Sequence, residues 1–295
     1  MGLRKLFGGG DGDDRGPRID TVIATVLPRP GQRIDGEVLF RAGWRKLPIH
    51  DLNLDVVSKA REWDGSTIDC HEVALRPELV WFDVERHTDR QVGFHGRLPW
   101  HCPVTELTGR STGVDLALVT TLGYDSDDVR DLDFLHVAAL PLHEAVMDAL
   151  LAEGYHFTGS ELLRAVVPGI EHRNPQTQLF YLEDPTGDPA GFPALEVAFV
   201  TNPVGATVFV RRAARHLFWW EDRPPAVSFP VAHHEAVADG GRVVGSGTGG
   251  SGTGGDGTGV DGAGVDGADG SGAVDLGPRV RDALASLAVL DRSPR

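Results

Sequence analysis

Between residues 19 and 124 the apolar side chains recur at every second position rather than at helical spacing. In the cleanest stretch Leu52, Leu54 and Val56 fall on one side of the chain, with Asp51, Asn53 and Asp55 on the other. Successive side chains of a strand point to opposite faces, so such a segment sets one sheet face against a core and the other against water. IDTVIATVL, QRIDGEVLFRAGW, STIDCHEVALRP, ELVWFDVE, QVGFHGRLPW and VDLALVTTLGY repeat the style, each bounded by Gly, Pro, Asp or Arg. About seven or eight short strands and no helix predict an antiparallel sandwich.

The pattern breaks after Tyr124. Asp125, Asp127, Asp128, Asp131 and Asp133 follow, interrupted by Arg130. Carboxylates at this density cannot all be buried, which predicts a loop or hinge lip. A helix comes next: Pro141 suits a first turn, Leu142, Ala145, Val146, Ala149 and Leu150 keep one apolar face, and Gly154 supplies the stop. The acidic segment is thus the expected boundary between two domains.

Beyond it, QLFYLED, ALEVAFV and ATVFVRR read as strands of a second sandwich, while Ser160 to Val167 is ambiguous between strand and helix. From 239 to 277 the chain is nearly all Gly, Ser, Thr, Asp, Ala and Val. Few bulky side chains there can offset the entropy of ordering, so disorder and early proteolysis are expected. Pro278 then starts a short helix with Val280, Leu284, Leu287 and Leu290 on one face. A helix that short is marginal alone in water, so it should dock on the protein's own surface or on a partner. The expected division is a flexible 1–18, a sandwich over 19–137, a second sandwich with a leading helix over 138–236, a disordered linker over 237–277, and a helix and tail over 278–295.

The net charge of −15 opposes nucleic acid or an anionic membrane as the main partner. Cys70 and Cys102 are too few for a disulfide framework and no signal peptide accompanies them, so the expected compartment is the cytoplasm. No apolar run approaches the ~20 residues that span a bilayer. The pairs Cys70-His71 and His101-Cys102 suggest zinc, but adjacent strand residues diverge. Gly-x-Ser-x-Gly, His-Glu-x-x-His and dinucleotide motifs are all missing. His143-Glu144 lacks a second histidine, and His233-His234-Glu235 lacks a third ligand and reads as a solvated turn. No catalytic residue, cofactor or metal is expected. Phe218, Trp219 and Trp220 offer an aromatic platform for a sugar, against the plainer reading that one Trp closes the second core.

Several segments carry a resemblance through their order. They are Pro30-Gly31 followed by Ile34-Asp35-Gly36-Glu37-Val38, then GFHGRLPWHCPVT from Gly93 to Thr105, then Thr121 to Val137. In the second half they are Gly154-Tyr155-His156-Phe157, Pro175-Gln176-Thr177-Gln178-Leu179-Phe180, Leu195-Glu196-Val197, and Val208 to Arg212. Together, over residues 1–230 or so, the chain resembles the bacterial sporulation-control SpoOM family. The resemblance implies an all-β fold with one core helix, built as two arrestin-like antiparallel β-sandwiches in tandem, and makes Ser160 to Val167 a strand. It implies a non-enzymatic regulatory or scaffold protein that binds protein partners in sporulation or morphological differentiation; a homo-oligomer is the further partner considered. It also implies opposed charges between the domains, here Asp125, Asp127, Asp128, Asp131 and Asp133 against Arg211, Arg212 and Arg215. The chain departs from the family pattern at Leu122-Gly123-Tyr124-Asp125 and at Val210, which precedes the arginine pair. The rival functions are a carbohydrate-binding module on the Trp pair and a metal-dependent hydrolase on the Cys/His pairs.

Overall fold

A computed structural model describes residues 17–125, 127–167, 176–184, 194–214, 219, 222–236 and 274–292. Among the described residues ten strands precede the first helix: β1 (Arg18–Ile23), β2 (Arg33–Arg41), β3 (Leu47–Arg61), β4 (Thr67–Pro77), β5 (Phe82–Val84), β6 (Asp89–Arg97), β7 (Glu106–Leu107), β8 (Arg110–Ser111), β9 (Leu116–Tyr124) and β10 (Asp127–Phe134). There follow α1 (Pro141–Ala152), β11 (His156–Leu163), β12 (Thr177–Glu183), β13 (Ala194–Thr201), β14 (Gly205–Arg212), β15 (Val227–Ala232), α2 (His233–Ala236) and α3 (Gly277–Arg292). The fold is mostly β and arrestin-like.

In the first half, β1, β2 and β6 form one antiparallel sheet, while β4, β3, β9 and β10 form the other. The end of β4 crosses between them, with Arg76 opposite His95 and Pro77 opposite Phe94. The period-two residues meet in one core: Ile34, Val38 and Phe40 from β2, Phe94 from β6, Leu52, Leu54 and Val56 from β3, and Leu116, Leu118 and Leu122 from β9. Close approach fixes Gly36, where an added Cβ would lie 2.3 Å from the Val22 carbonyl oxygen and 2.5 Å from the Phe94 ring.

The acidic segment is a strand, not the loop its charge suggests. β10 pairs with β9 from Asp127 opposite Tyr124 to Phe134 opposite Ala117. Among the described strands only β9 pairs with it, so it is an edge. An edge strand satisfies its backbone on one side and lets carboxylates reach solvent, and edge charges are a common guard against further strand addition.

The second half begins with α1, which has Pro141 in its first turn and ends ahead of Gly154, whose φ is +98°. β11 to β15 form an antiparallel meander joined to β3 by one parallel pair, Leu163 opposite Arg61. Phe180, Leu182, Leu195, Val197, Val208, Val210 and Val231 share the main core with Leu142, Val146 and Leu150 of α1. The alternate residues Leu179, Tyr181 and Ala198 build a smaller cluster with Leu163 and Ala165 on the other face. The connection from β10 to α1 is packed, with Leu135, Val137, Ala139 and Leu140 buried. The expectations for 1–16 and 237–273, and those resting on Arg215, Phe218 and Trp220, lie outside the described residues.

Candidate functional site

Charged side chains carry the sequence's functional expectations, and the structure sorts them into four groups. In the first, Glu196 on β13 and Arg211 on β14 are register partners. Arg211 Nε donates to Glu196 Oε1, while Arg223 Nη1 donates to Oε2 at 2.6 Å and the Ala214 amide donates to Oε2 at 3.3 Å. All three charged residues are buried. Burial draws the Arg211 guanidinium down to about 10, against the pull of Glu196 in the other direction. Burial, with Glu161 and Glu196 nearby, pushes the Tyr181 phenol up to about 12. From sequence alone Arg211 is expected against the acidic segment and Glu196 has no role. The available signal was an acid within the apolar run ALEVAFV with paired arginines on the next strand.

The second group is the acidic segment itself. Asp125 pairs with Arg45 at 2.9 Å, and the backbone N–H of Thr21 on β1 donates to Asp131 Oδ2 at 2.9 Å. Beside that contact the Thr21 and Thr120 hydroxyls meet at 2.8 Å. Asp131 therefore fastens β10 to β1 across the first sandwich. Burial first, then the Asp131 charge and hydrogen bond and the Asp20 charge, push the Asp133 carboxyl up to about 7. Asp127 and Asp128 are exposed. Among the described residues no ion pair joins the five carboxylates to Arg211 or Arg212. Arg212 is half-buried.

The two halves meet through a third group that the sequence did not reveal. Arg61, at the end of β3, makes two contacts with Glu161 of β11, one of them at 3.1 Å. Arg164, just past β11, reaches back to Glu62 at 2.6 Å. Gln178 of β12 accepts from the Val104 amide at 2.9 Å and donates to its carbonyl at 2.8 Å, so its side-chain amide pairs like a strand residue. Buried Glu72 accepts from Ser58 of its own half and from Gln176 of the other.

The fourth group holds α3. Arg279 donates to both carboxylate oxygens of Glu235, at 3.0 and 2.6 Å, and to the Pro230 carbonyl at 3.2 Å. Arg281 reaches Glu153, just past α1, at 3.1 Å. Hydrogen bonds from Arg279 and the Ala232 amide hold the Glu235 carboxyl down at about 2. Of the expected apolar face, Val280 and Leu287 are buried, Leu284 is half-buried against the core, and Leu290 is exposed; Leu276 and Ala283 complete the buried stripe.

The groups with reactive chemistry are withdrawn. His143 is buried with Nε2 3.0 Å from the Thr201 hydroxyl, and burial lowers it to about 3, so its ring is neutral. Burial pushes the Cys102 thiol well up, and raises the half-buried Cys70 as well. Among the described residues no three His, Cys, Asp or Glu side chains are placed to hold a metal ion. Trp219 is exposed. No described helix is long and apolar enough to cross a membrane.

The sequence matches the family described as SpoOM protein over residues 8–215. Among solved structures, Spo0M, sporulation control protein, from Bacillus subtilis, superposes with a TM-score of 0.64 at 21% identity, covering 75% of this chain and 92% of that one. A PapD-like domain of human CEP192 gives a TM-score of 0.24 at 11% identity, covering 46% of this chain and 96% of that one. A family 123 glycoside hydrolase from Clostridium perfringens gives 0.26 at 7%, covering 39% and 22%. Neither of the last two likenesses carries an argument about function. No curated protein matches.

Proposed function

The chain belongs to the SpoOM protein family, and on that premise we propose that it is a non-enzymatic, cytoplasmic regulatory protein that acts in sporulation or morphological differentiation by binding protein partners. Family membership over most of the chain carries the reading. The chemistry of the interior supports it: the buried histidine is neutral, the buried thiol is protonated, and the described buried charges are engaged in holding strands together.

The test is removal of the chain from differentiating cells, together with crosslinking and recovery of a tagged full-length copy. The expected result is a change in the timing or completion of differentiation and reproducible recovery of specific partners. Normal differentiation with no recovered partner would overturn the reading. Turnover of a substrate by purified protein would overturn its non-enzymatic part.

A further inference from the structure

We propose that the contact between β1 and β10, the outer edges of the two sheets of the first sandwich, is a pH-sensitive latch: a proton on Asp133 keeps it closed, and loss of that proton sets Asp133 against Asp20 and Asp131 and lets the edges part. Among the described strands β1 pairs only with β2 and β10 only with β9. No ladder joins the two edges, and side chains do so instead. The Thr21 amide of β1 donates to Asp131 Oδ2 at 2.9 Å, and the Thr21 and Thr120 hydroxyls meet at 2.8 Å. Thr21 and Thr120 are buried there, with Ile19 and Ile23 of β1 packed against the main core. β1 is held to β2 along its whole length from Arg18 to Ile23, so the contact with β10 is the weaker of its two attachments.

The charges at this contact make it responsive. Asp131 and Asp133 stand opposite Thr120 and Leu118 of β9 and so share the side of β10 turned toward the core, while Arg130, exposed, falls on the other side. Asp133 Oδ2 is buried and has no hydrogen-bond partner among the described residues. The charges that act on Asp133 are Asp131 of its own strand and Asp20 of β1, both anionic. β9 sets only the uncharged Leu118 and Thr120 opposite this pair, and Arg18, the other charged residue of β1, lies in register with Arg41. A proton on Asp133 removes the repulsion and supplies a donor to the Asp131 carboxylate, which keeps its hold on Thr21. Burial and these neighbours place the change at about 7. Asp131 and Asp133 share a strand and cannot separate, so the repulsion that movement can relieve is the one between Asp133 and Asp20, by withdrawal of β1 from β10. Parting bares two strand edges, the part of a sheet that accepts a further strand.

Hydrogen exchange of the full-length chain, read by NMR at the amides of Thr21 and of Val38 in the core of β2, tests this. Thr21 should exchange through a local opening that low urea does not accelerate, whereas Val38 should respond to urea as global unfolding does. Comparing wild type with Asp133→Asn at one pH cancels the base catalysis common to all amides. Thr21 should be at least ~10-fold less protected in wild type than in the variant at pH 8 and nearly equally protected at pH 4, because a proton bound more tightly in the closed state holds that state only until pH rises past its release. Asp20→Asn removes the opposing charge on β1 and should restore part of the protection at pH 8; it serves as the comparison if Asp133→Asn fails to fold. Equal protection of Thr21 in wild type and the variants at pH 8, or a Thr21 amide that follows Val38 in urea, would overturn the proposal.

Discussion

Glu196 and Arg211 face each other across β13 and β14 with each side chain 1% exposed, and Arg223 takes the second carboxylate oxygen. A pair withdrawn from water holds because each charge compensates the other, so removing one strands its partner. Glu196→Gln should destabilise the protein by about 3–5 kcal/mol in chemical denaturation. Replacing the cluster together, Glu196→Leu with Arg211→Met and Arg223→Met, should cost far less. Equal losses for the two variants would show that packing, not charge, dominates there.

Asp133 gives the protein a pH dependence of unusual sign. Its folded value of about 7 lies above the ordinary 3.8, so the folded state binds this proton more tightly than the unfolded chain does. The resulting stability is fully present below about pH 4 and is lost as pH rises through 7. Asp20 of β1 and Asp131 of β10 are the charges that face it. Asp133→Asn should therefore raise the thermal midpoint at pH 8, leave it little changed at pH 4, and flatten the profile between. A wild type and variant that run parallel from pH 4 to 8 would refute this.

Double-mutant cycles should find the coupling between the halves at Arg61–Glu161 and Arg164–Glu62. These pairs are partly exposed, and each should register under about 1 kcal/mol, above error only in low salt. Arg211→Glu combined with reversal of Asp131 or Asp133 should show no coupling, because Arg211 sits against Glu196. Rescue by either reversal would restore the acidic segment as the interdomain clasp.

Gly36→Ala should lower stability by about 1–3 kcal/mol, since the new methyl meets the Val22 carbonyl and the Phe94 ring and the backbone neighbour cannot rotate away. Gly65→Ala, with nothing within 4 Å of the new atom, isolates the backbone effect because Gly65 has φ +84°. The Gly36 variant should unfold by loss of the β1–β2 pairing first, seen as early amide exchange in Ile19 to Ile23.

Local pattern was enough to reveal the strands whose apolar residues alternate, though not β10. Alternation over Leu52, Leu54 and Val56 dictated a half-buried strand, and these residues are buried in β3. Pro141 and Gly154 bracket α1 because each acts through its own backbone, whatever surrounds it. The ordered segments that suggested the family turn out to touch: Gly31 lies under the Trp100 ring, with room for no side chain of its own, so the turn and the GFHGRLPWHCPVT segment form one contact.

Charge pairing was decided by tertiary structure. Arg211 had acids available on two sides in the sequence, and only the β13–β14 register selects Glu196 over the acidic segment. Asp131 reaches Thr21 across the sandwich, and Arg61 reaches Glu161 across the seam, at sequence separations that carry no periodic signal. Four of the five aspartates became part of a strand because β9 offered that segment a full ladder, a stabilisation its own residues do not encode. Periodicity reports which side of an element is buried, since that follows from backbone geometry residue by residue. Which buried or half-buried charge meets which is set by how the elements are placed, and that placement exists only once the chain has folded.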